Sequence, residues 1–178
     1  MLKIVVPEKE FFNNRTNEFC TTPETVLSLE HSLLSISKWE CMHEKTFFSK
    51  EQKTKEEVID YIKCMTLNQK IDDLVYLALT NENYMQIKDY MQSPMTARKK
   101  YKKQNSGHKY ITSEDIYYNM LMNGIPLECQ KWHINRLLAL IDYFNVHNSD
   151  GKKMSRKDTY QMYSELNASR RRALNSKG

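Results

Sequence analysis

Cys129 and His133 stand four residues apart in "IPLECQKWHINRLLALIDYF" (125–144). Thiolate and imidazole are both good zinc ligands, and on a helix this spacing puts the two side chains on one face. A closed zinc site uses four ligands, commonly as two close pairs. The only other Cys/His neighbours in the chain are Cys41 and His43, and no acidic ligand motif accompanies either pair. Cys129 and His133 also fall on the flank of an apolar stripe made by Ile134, Leu137, Leu138, Ile141 and Phe144. The better reading is packing at the edge of a core, with the histidine hydrogen-bonded there and no metal bound.

Other reactive constellations are missing from the sequence. It has no G-x-S-x-G nucleophile elbow, no G-x-x-x-x-G-K-[ST] phosphate loop, no G-x-G-x-x-G and no H-E-x-x-H. Four glycines leave little material for a loop that cradles phosphate. The adjacent acids Glu56-Glu57 and Asp72-Asp73 sit at predicted helix starts, where they complement the helix dipole. The expectation is a protein without catalytic residues or cofactor. Cys20, Cys41, Cys64 and Cys129 are widely spaced with no CxxC, which reads as four free, buried thiols.

Composition sets the frame for these residues. Apolar residues make up 40% and charged residues 28% of 178, with only four Gly and four Pro, which favours long helices over a loop-rich β-fold. No apolar run approaches the roughly 18 residues of a membrane span. "MLKIVVPEKE" lacks the apolar core of a signal peptide, so the expectation is a cytoplasmic protein.

The charge of +5 is unevenly spread. Residues 1–94 carry 11 Lys+Arg against 15 Asp+Glu, and residues 95–178 carry 16 against 7. Two segments concentrate the excess, 97–110 and 151–178. Within them Arg98, Lys99, Lys100, Lys102 and Lys103, and the consecutive Arg170, Arg171 and Arg172, are the candidate contacts for an acidic partner. Tyr101, set among five cations, could stack on a base. A nucleic-acid complex of that kind would weaken steeply as salt rises. Three successive arginines point in different directions on a helix, which suits solvation or an acidic protein better than base readout.

The elements follow from periodicity. "LKIVV" and "TVLSLEHS" (25–32) read as strands around the turn-rich "NNRTNE", giving a small antiparallel β element. "SLLSISKWECM" places Leu33, Ile36 and Cys41 near helical spacing. Thr54 and Glu57 form a capping box before the stripe Val58, Tyr61, Ile62, Met65. "IDDLVYLAL" (71–79) is a further apolar piece, and Tyr84, Ile87, Tyr90 and Met91 share a face of the helix that Ser93-Pro94 ends. Ser113 is the expected N-cap of the next helix, with Glu114 and Asp115 in its first turn and Gly124 as its stop. Pro126 then opens a helix through Phe144, expected to pack at the centre. The fold class is mainly α, a helical bundle-like domain over 1–150 with strands in 1–32 and a helical core in 54–147. A basic helix or tail over 151–178 follows.

Five segments in this order, "SLEHSLLSISKWE" (28–40), "VIDYIKCMTLNQ" (58–69), "ITSEDIYYNML" (111–121), "IPLECQKWHINRLL" (125–138) and "KKMSRKD" (152–158), carry a resemblance. Across nearly its whole length the chain resembles a family of small proteins of tailed bacteriophages and prophages assigned as tail assembly chaperones. "MTARKKYKKQNSG" is more basic than the pattern of that family, and "YYNMLMNG" lacks the aromatic that follows its two tyrosines. The resemblance implies a non-enzymatic protein of the host cytoplasm that binds the tape measure protein, or another tail protein, during tail assembly. Self-association fits such a role, and no membrane is implied. Two other classes stand beside it: a structural protein of the tail or head–tail junction, and a helical nucleic-acid binder using 97–110 and 151–178.

Overall fold

A computed structural model describes residues 1–13, 17–97, 111–149 and 164. The chain divides into two compact units, Met1–Asp142 and Tyr143–Gly178. The first unit begins with four strands, β1 (Leu2–Val6), β2 (Lys9–Asn13), β3 (Glu18–Thr22) and β4 (Thr25–Leu29). Helices follow: α1 (Leu33–His43), α2 (Lys55–Met65), α3 (Asp73–Leu77), α4 (Asn81–Gln92) and α5 (Ser113–Met122). A 3-10 turn (Leu127–Lys131) precedes α6 (Ile134–Ser149), which runs into the second unit. The described architecture is thus mainly helical with a small antiparallel β element at the N-terminus, as the periodicity predicts.

The β element holds one hairpin more than expected. β1 pairs with β4, Leu2 opposite Leu29 and Val6 opposite Thr25, while β2 and β3 pair separately with Phe12 opposite Phe19. Alternation decides the faces of β1 and β4. Ile4, Val6, Leu27 and Leu29 are buried, and Val5 and Val26 face each other on the solvent side. Both outer edges of this pair are covered. Asn68 accepts from Ser28 N and donates to Val26 O, and Asn83 donates to Val5 O. Open edges invite strand addition, and these two asparagines occupy positions where it would start.

Helix α1 is the hub, packing against α2, α5 and the 3-10 turn, while α4 lies on β1. Ser32 caps it with Ser35 in a reciprocal box. Its buried face is Leu33, Ser35, Ile36, Trp39 and Glu40, so Cys41 is exposed, against the expected stripe. Trp39 wins the interior because its indole N–H donates to Glu57 O at 2.8 Å while its rings fill the core. Only Cys129 of the four thiols is buried; Cys20 and Cys64 are half-buried.

Glu40 carries a carboxylate into the same interior. One oxygen accepts from Phe47 N at 2.7 Å and the other from Ser113 N at 2.8 Å. The first bond fixes the loop after α1, which turns at Glu44 with a left-handed φ of 52°. The second satisfies an orphan N–H in the first turn of α5, where a negative charge also meets the positive end of the dipole. Thr112, not Ser113, is therefore the N-cap of α5, in a box with Asp115. The other end closes as a Schellman motif: Gly124 N donates to Leu121 O and Ile125 N to Met120 O, with Gly124 at φ 64°.

Tyr143 to Ser149 are the described start of the second unit, apart from Ser164. There the Tyr143 ring stands 4.1 Å from that of His147 and edge-on to Phe144.

Replacing Glu40 with Ala leaves two buried N–H groups without acceptors, and each such group costs about 1–3 kcal/mol. Urea unfolding of Glu40→Ala is expected to show a loss of about 2–5 kcal/mol, with Glu40→Gln intermediate because its amide keeps one acceptor oxygen. A loss near zero would remove Glu40 from this role.

Candidate partner-binding site

The expected continuous helix over 125–144 is broken. Cys129 lies in the 3-10 turn, Trp132 is extended, and α6 starts only at Ile134. The break has a tertiary cause: Ser32 and His133 form an antiparallel bridge, and Ile134 N donates to His31 O at 2.7 Å. Cys129 and His133 therefore do not share a helical face. His133 instead caps α6. Its carbonyl accepts from Leu137 N, its Nδ1 accepts from Asn135 N at 3.3 Å, and its Nε2 donates to Tyr90 O at 3.1 Å. Both ring nitrogens are committed in the neutral tautomer.

His133 belongs to a buried polar cluster that joins β4 to α2, α4 and α6. The His31 ring stands edge-on to His133 with centroids 5.1 Å apart, and its Nδ1 meets the Tyr61 hydroxyl at 2.5 Å. The Tyr90 hydroxyl donates to Glu30 Oε1 at 2.6 Å, and the other Glu30 oxygen lies 2.8 Å from the Met1 ammonium. Burial, with His133 beside it, pushes His31 down to about 3. Burial also holds His133 below its ordinary value and raises the Tyr61 hydroxyl. This cluster is connected inward and fills the core. His43 and Cys41 lie elsewhere: His43 Nε2 is 3.3 Å from Asp60 without a hydrogen-bond geometry, and Cys41 is exposed. Among the described residues, no three His, Cys, Asp or Glu side chains converge as a metal site.

The basic candidates Arg98, Lys99, Lys100, Lys102, Lys103, Arg170, Arg171 and Arg172 all lie outside the described residues. So do Tyr101 and nearly all of the predicted C-terminal helix. Among the described residues, no helix is long and apolar enough to cross a membrane.

The described surface that stands out is the outer face of α5. Tyr118, Leu121 and Met122 are 62%, 63% and 66% exposed. With Glu114 they occupy i, i+4, i+7 and i+8, which spans about 100° of the helix circumference. Ser113, Ile116 and Met120 are buried on the opposite side against the domain. α5 is therefore apolar on two faces, and burial within the domain accounts for only one. Three large apolar side chains grouped on one helix face differ from the isolated exposed residues of ordinary surfaces. Leu127, 48% exposed in the turn that follows, adds to the apolar content of this region. The face is held rigidly, because Glu40 fixes the start of α5 and the Schellman motif its end. Polar side chains beside the stripe bond locally: Asn119 donates to Asp115 O, Asn123 to Asn119 O, and Tyr117 to Gln130.

Residue type alone did not separate these two faces. "IYYNMLM" (116–122) is apolar but for Asn119, and that continuity was the available signal that more than one face would need covering. Comparison with known proteins adds no family: no protein-family model, no curated protein and no solved structure matches the chain.

The two imidazoles make stability pH-dependent in a defined direction. Folded His31 stays neutral down to about pH 3, whereas an unfolded histidine takes its proton near its ordinary value of 6.5. Unfolding below that pH takes up protons, so stability present above it is lost as pH falls. Between about pH 6 and pH 5 the unfolding free energy is expected to decline by ~1–2 kcal/mol, as each coupled proton contributes at most ~1.4 kcal/mol per pH unit. His31→Gln should flatten this decline while lowering the plateau at neutral pH. An equal decline in His31→Gln would show that other groups cause it.

Proposed function

We propose that this protein is a non-enzymatic, tail assembly chaperone-like protein that covers an α-helical client during phage tail morphogenesis. The client is the tape measure protein or another tail protein, and the setting is the cytoplasm of the bacterial host. The observation that carries the binding part of this reading is the Tyr118–Leu121–Met122 face of α5. The identity of the client comes from the resemblance of the five sequence segments.

The physics of the role suits the face. A long helical client exposes apolar stripes that would aggregate before the tail tube closes around it. A second helix laid along such a stripe removes apolar area from water on both partners, at about 25 cal/mol per Å². Leu and Met side chains adapt to several client sequences because their rotamers accommodate imperfect complementarity. A bundle-like helical body anchored through Glu40 would present α5 with its shape already set, which reduces the ordering cost on binding.

Co-expression with the tape measure protein tests the proposal. The wild-type protein is expected to keep that client soluble and to co-purify with it. Leu121→Asp with Met122→Asp should abolish both effects while leaving the urea midpoint nearly unchanged, since exposed substitutions usually shift stability by under about 0.5 kcal/mol. Mass spectrometry of purified virions is expected to miss the protein. Finding it there in stoichiometric amount would favour a structural tail component, and undiminished co-purification of the double variant would remove α5 as the binding face.

A further inference from the structure

A second surface lies between α2 and α4. It is a half-open cleft of about 450 Å³ with almost wholly apolar walls. Helix α2 contributes Val58, Tyr61 and Ile62, at i, i+3 and i+4. Helix α4 contributes Tyr84, Ile87 and Met91, at i, i+3 and i+7. Such rows are the ridges between which a further helix packs. Tyr61, Ile62 and Ile87 form a buried floor, while Val58, Tyr84 and Met91 are half-buried along the sides.

The charges on the cleft have one sign. Lys53 and Lys88 line it, and neither has a carboxylate within ion-pair distance among the described residues. The Lys53 ammonium donates to Phe47 O at 2.6 Å and lies over the Phe47 and Trp39 rings at 4.4 and 5.1 Å. Burial lowers its proton affinity, and the Glu57 and Glu40 carboxylates nearby offset this only in part. The nearby acids are already engaged. Glu40 accepts from Phe47 N and Ser113 N, and Glu57 pairs with Lys45 and accepts from Thr54 N. Lys88 is exposed at the margin of the cleft.

We propose that the α2–α4 cleft is a docking site for an amphipathic helix of another protein, whose apolar stripe is flanked by Asp or Glu side chains that pair with Lys53 and Lys88. The apolar rows select a helix, and the two ammonium groups, neither in an ion pair among the described residues, select the sign of its flanks. The chain's own basic segments are the wrong occupants, because 97–110 carries six Lys+Arg and no acid, and 151–178 carries eight against Asp158 and Glu165. The inference rests on the reading of this protein as a binder of helical partners, but it concerns a different surface from α5 and supplies the partner's charge pattern.

Two labelled synthetic helices of about 20 residues, long enough to be helical, share one Leu/Ala stripe and differ only in carrying Glu or Lys beside it. Fluorescence anisotropy with the full-length protein at low salt is the measurement. The Glu-flanked helix is expected to bind about tenfold more tightly than the Lys-flanked one, as two partly exposed charge pairs become two repulsions. Lys88→Glu should largely abolish this preference, since Lys53 and the new carboxylate then oppose each other for either helix, and Met91→Asp should weaken both helices. Leu121→Asp should leave both affinities unchanged. Equal affinities for the two helices, no binding of either, or a Lys88→Glu variant with an unaltered preference would overturn the proposal. Loss of binding in Leu121→Asp instead would place the helix on α5, which would sink the cleft and leave the α5 reading intact. Lys88 is exposed and outside the core, so Lys88→Glu remains informative even if a Lys53 variant fails to fold.

Discussion

The Glu40 carboxylate is the constraint around which the first unit is arranged. A charge taken out of water is tolerated only when its lone pairs are satisfied, and here two backbone N–H groups, 7 and 73 residues along the chain, do so. Phe47 is thereby drawn under α1, where its ring packs between Trp39 and Tyr61. Ser113 is drawn to the other oxygen of the same carboxylate, so α5 starts where α1 dictates. Trp39 repeats the device one residue earlier, bonding the first turn of α2 through Glu57 O. Two adjacent side chains of one helix thus specify the positions of two others. An apolar pair at these sites would fill space but would not define where either helix begins.

The surface follows from this arrangement. With Ile116 and Met120 drawn inward, the helical repeat obliges Tyr118, Leu121 and Met122 to point out. The apolar content of α5 exceeds what one buried face can use, and the excess is placed on a rigid, capped element. The α2–α4 cleft has a similar origin. The two helices are each amphipathic, but neither buries its whole stripe on the other, and the remainder opens to solvent with lysines at its margin. On the β1–β4 pair the outer edges are engaged by Asn68 and Asn83, while these helical surfaces remain exposed.

Local chemistry made part of this legible in the sequence. The capping box of Thr54 and Glu57, the acids in the first turn of α5 and the left-handed Gly124 were readable because each depends on residues within a few positions. The stripes of α2 and α4 were readable from spacing, and Leu137 and Ile141 of α6 are buried as predicted. Long-range bonds were not readable. The Ser32–His133 bridge breaks an otherwise persuasive helical pattern, and nothing near Glu40 in the sequence marks it as the acceptor for Phe47 and Ser113. The β2–β3 hairpin was missed because "KEFFN" and "EFCTT" are short and lack strict alternation. The site was legible least of all, since a residue's type does not say which of two apolar faces the rest of the chain will cover.

The account stands on the outer face of α5 being the surface that a helical client covers. Methionine reactivity reads this directly, because Met122 lies on that face while Met42, also well exposed, lies on α1 beside Cys41. Brief peroxide treatment of the protein, alone and saturated with the tape measure protein, followed by peptide mass spectrometry, compares the two side chains in one sample. The account predicts that the client slows oxidation of Met122 several-fold and leaves Met42 unchanged. Equal Met122 oxidation with and without bound client, or protection of Met42 in its place, would contradict it.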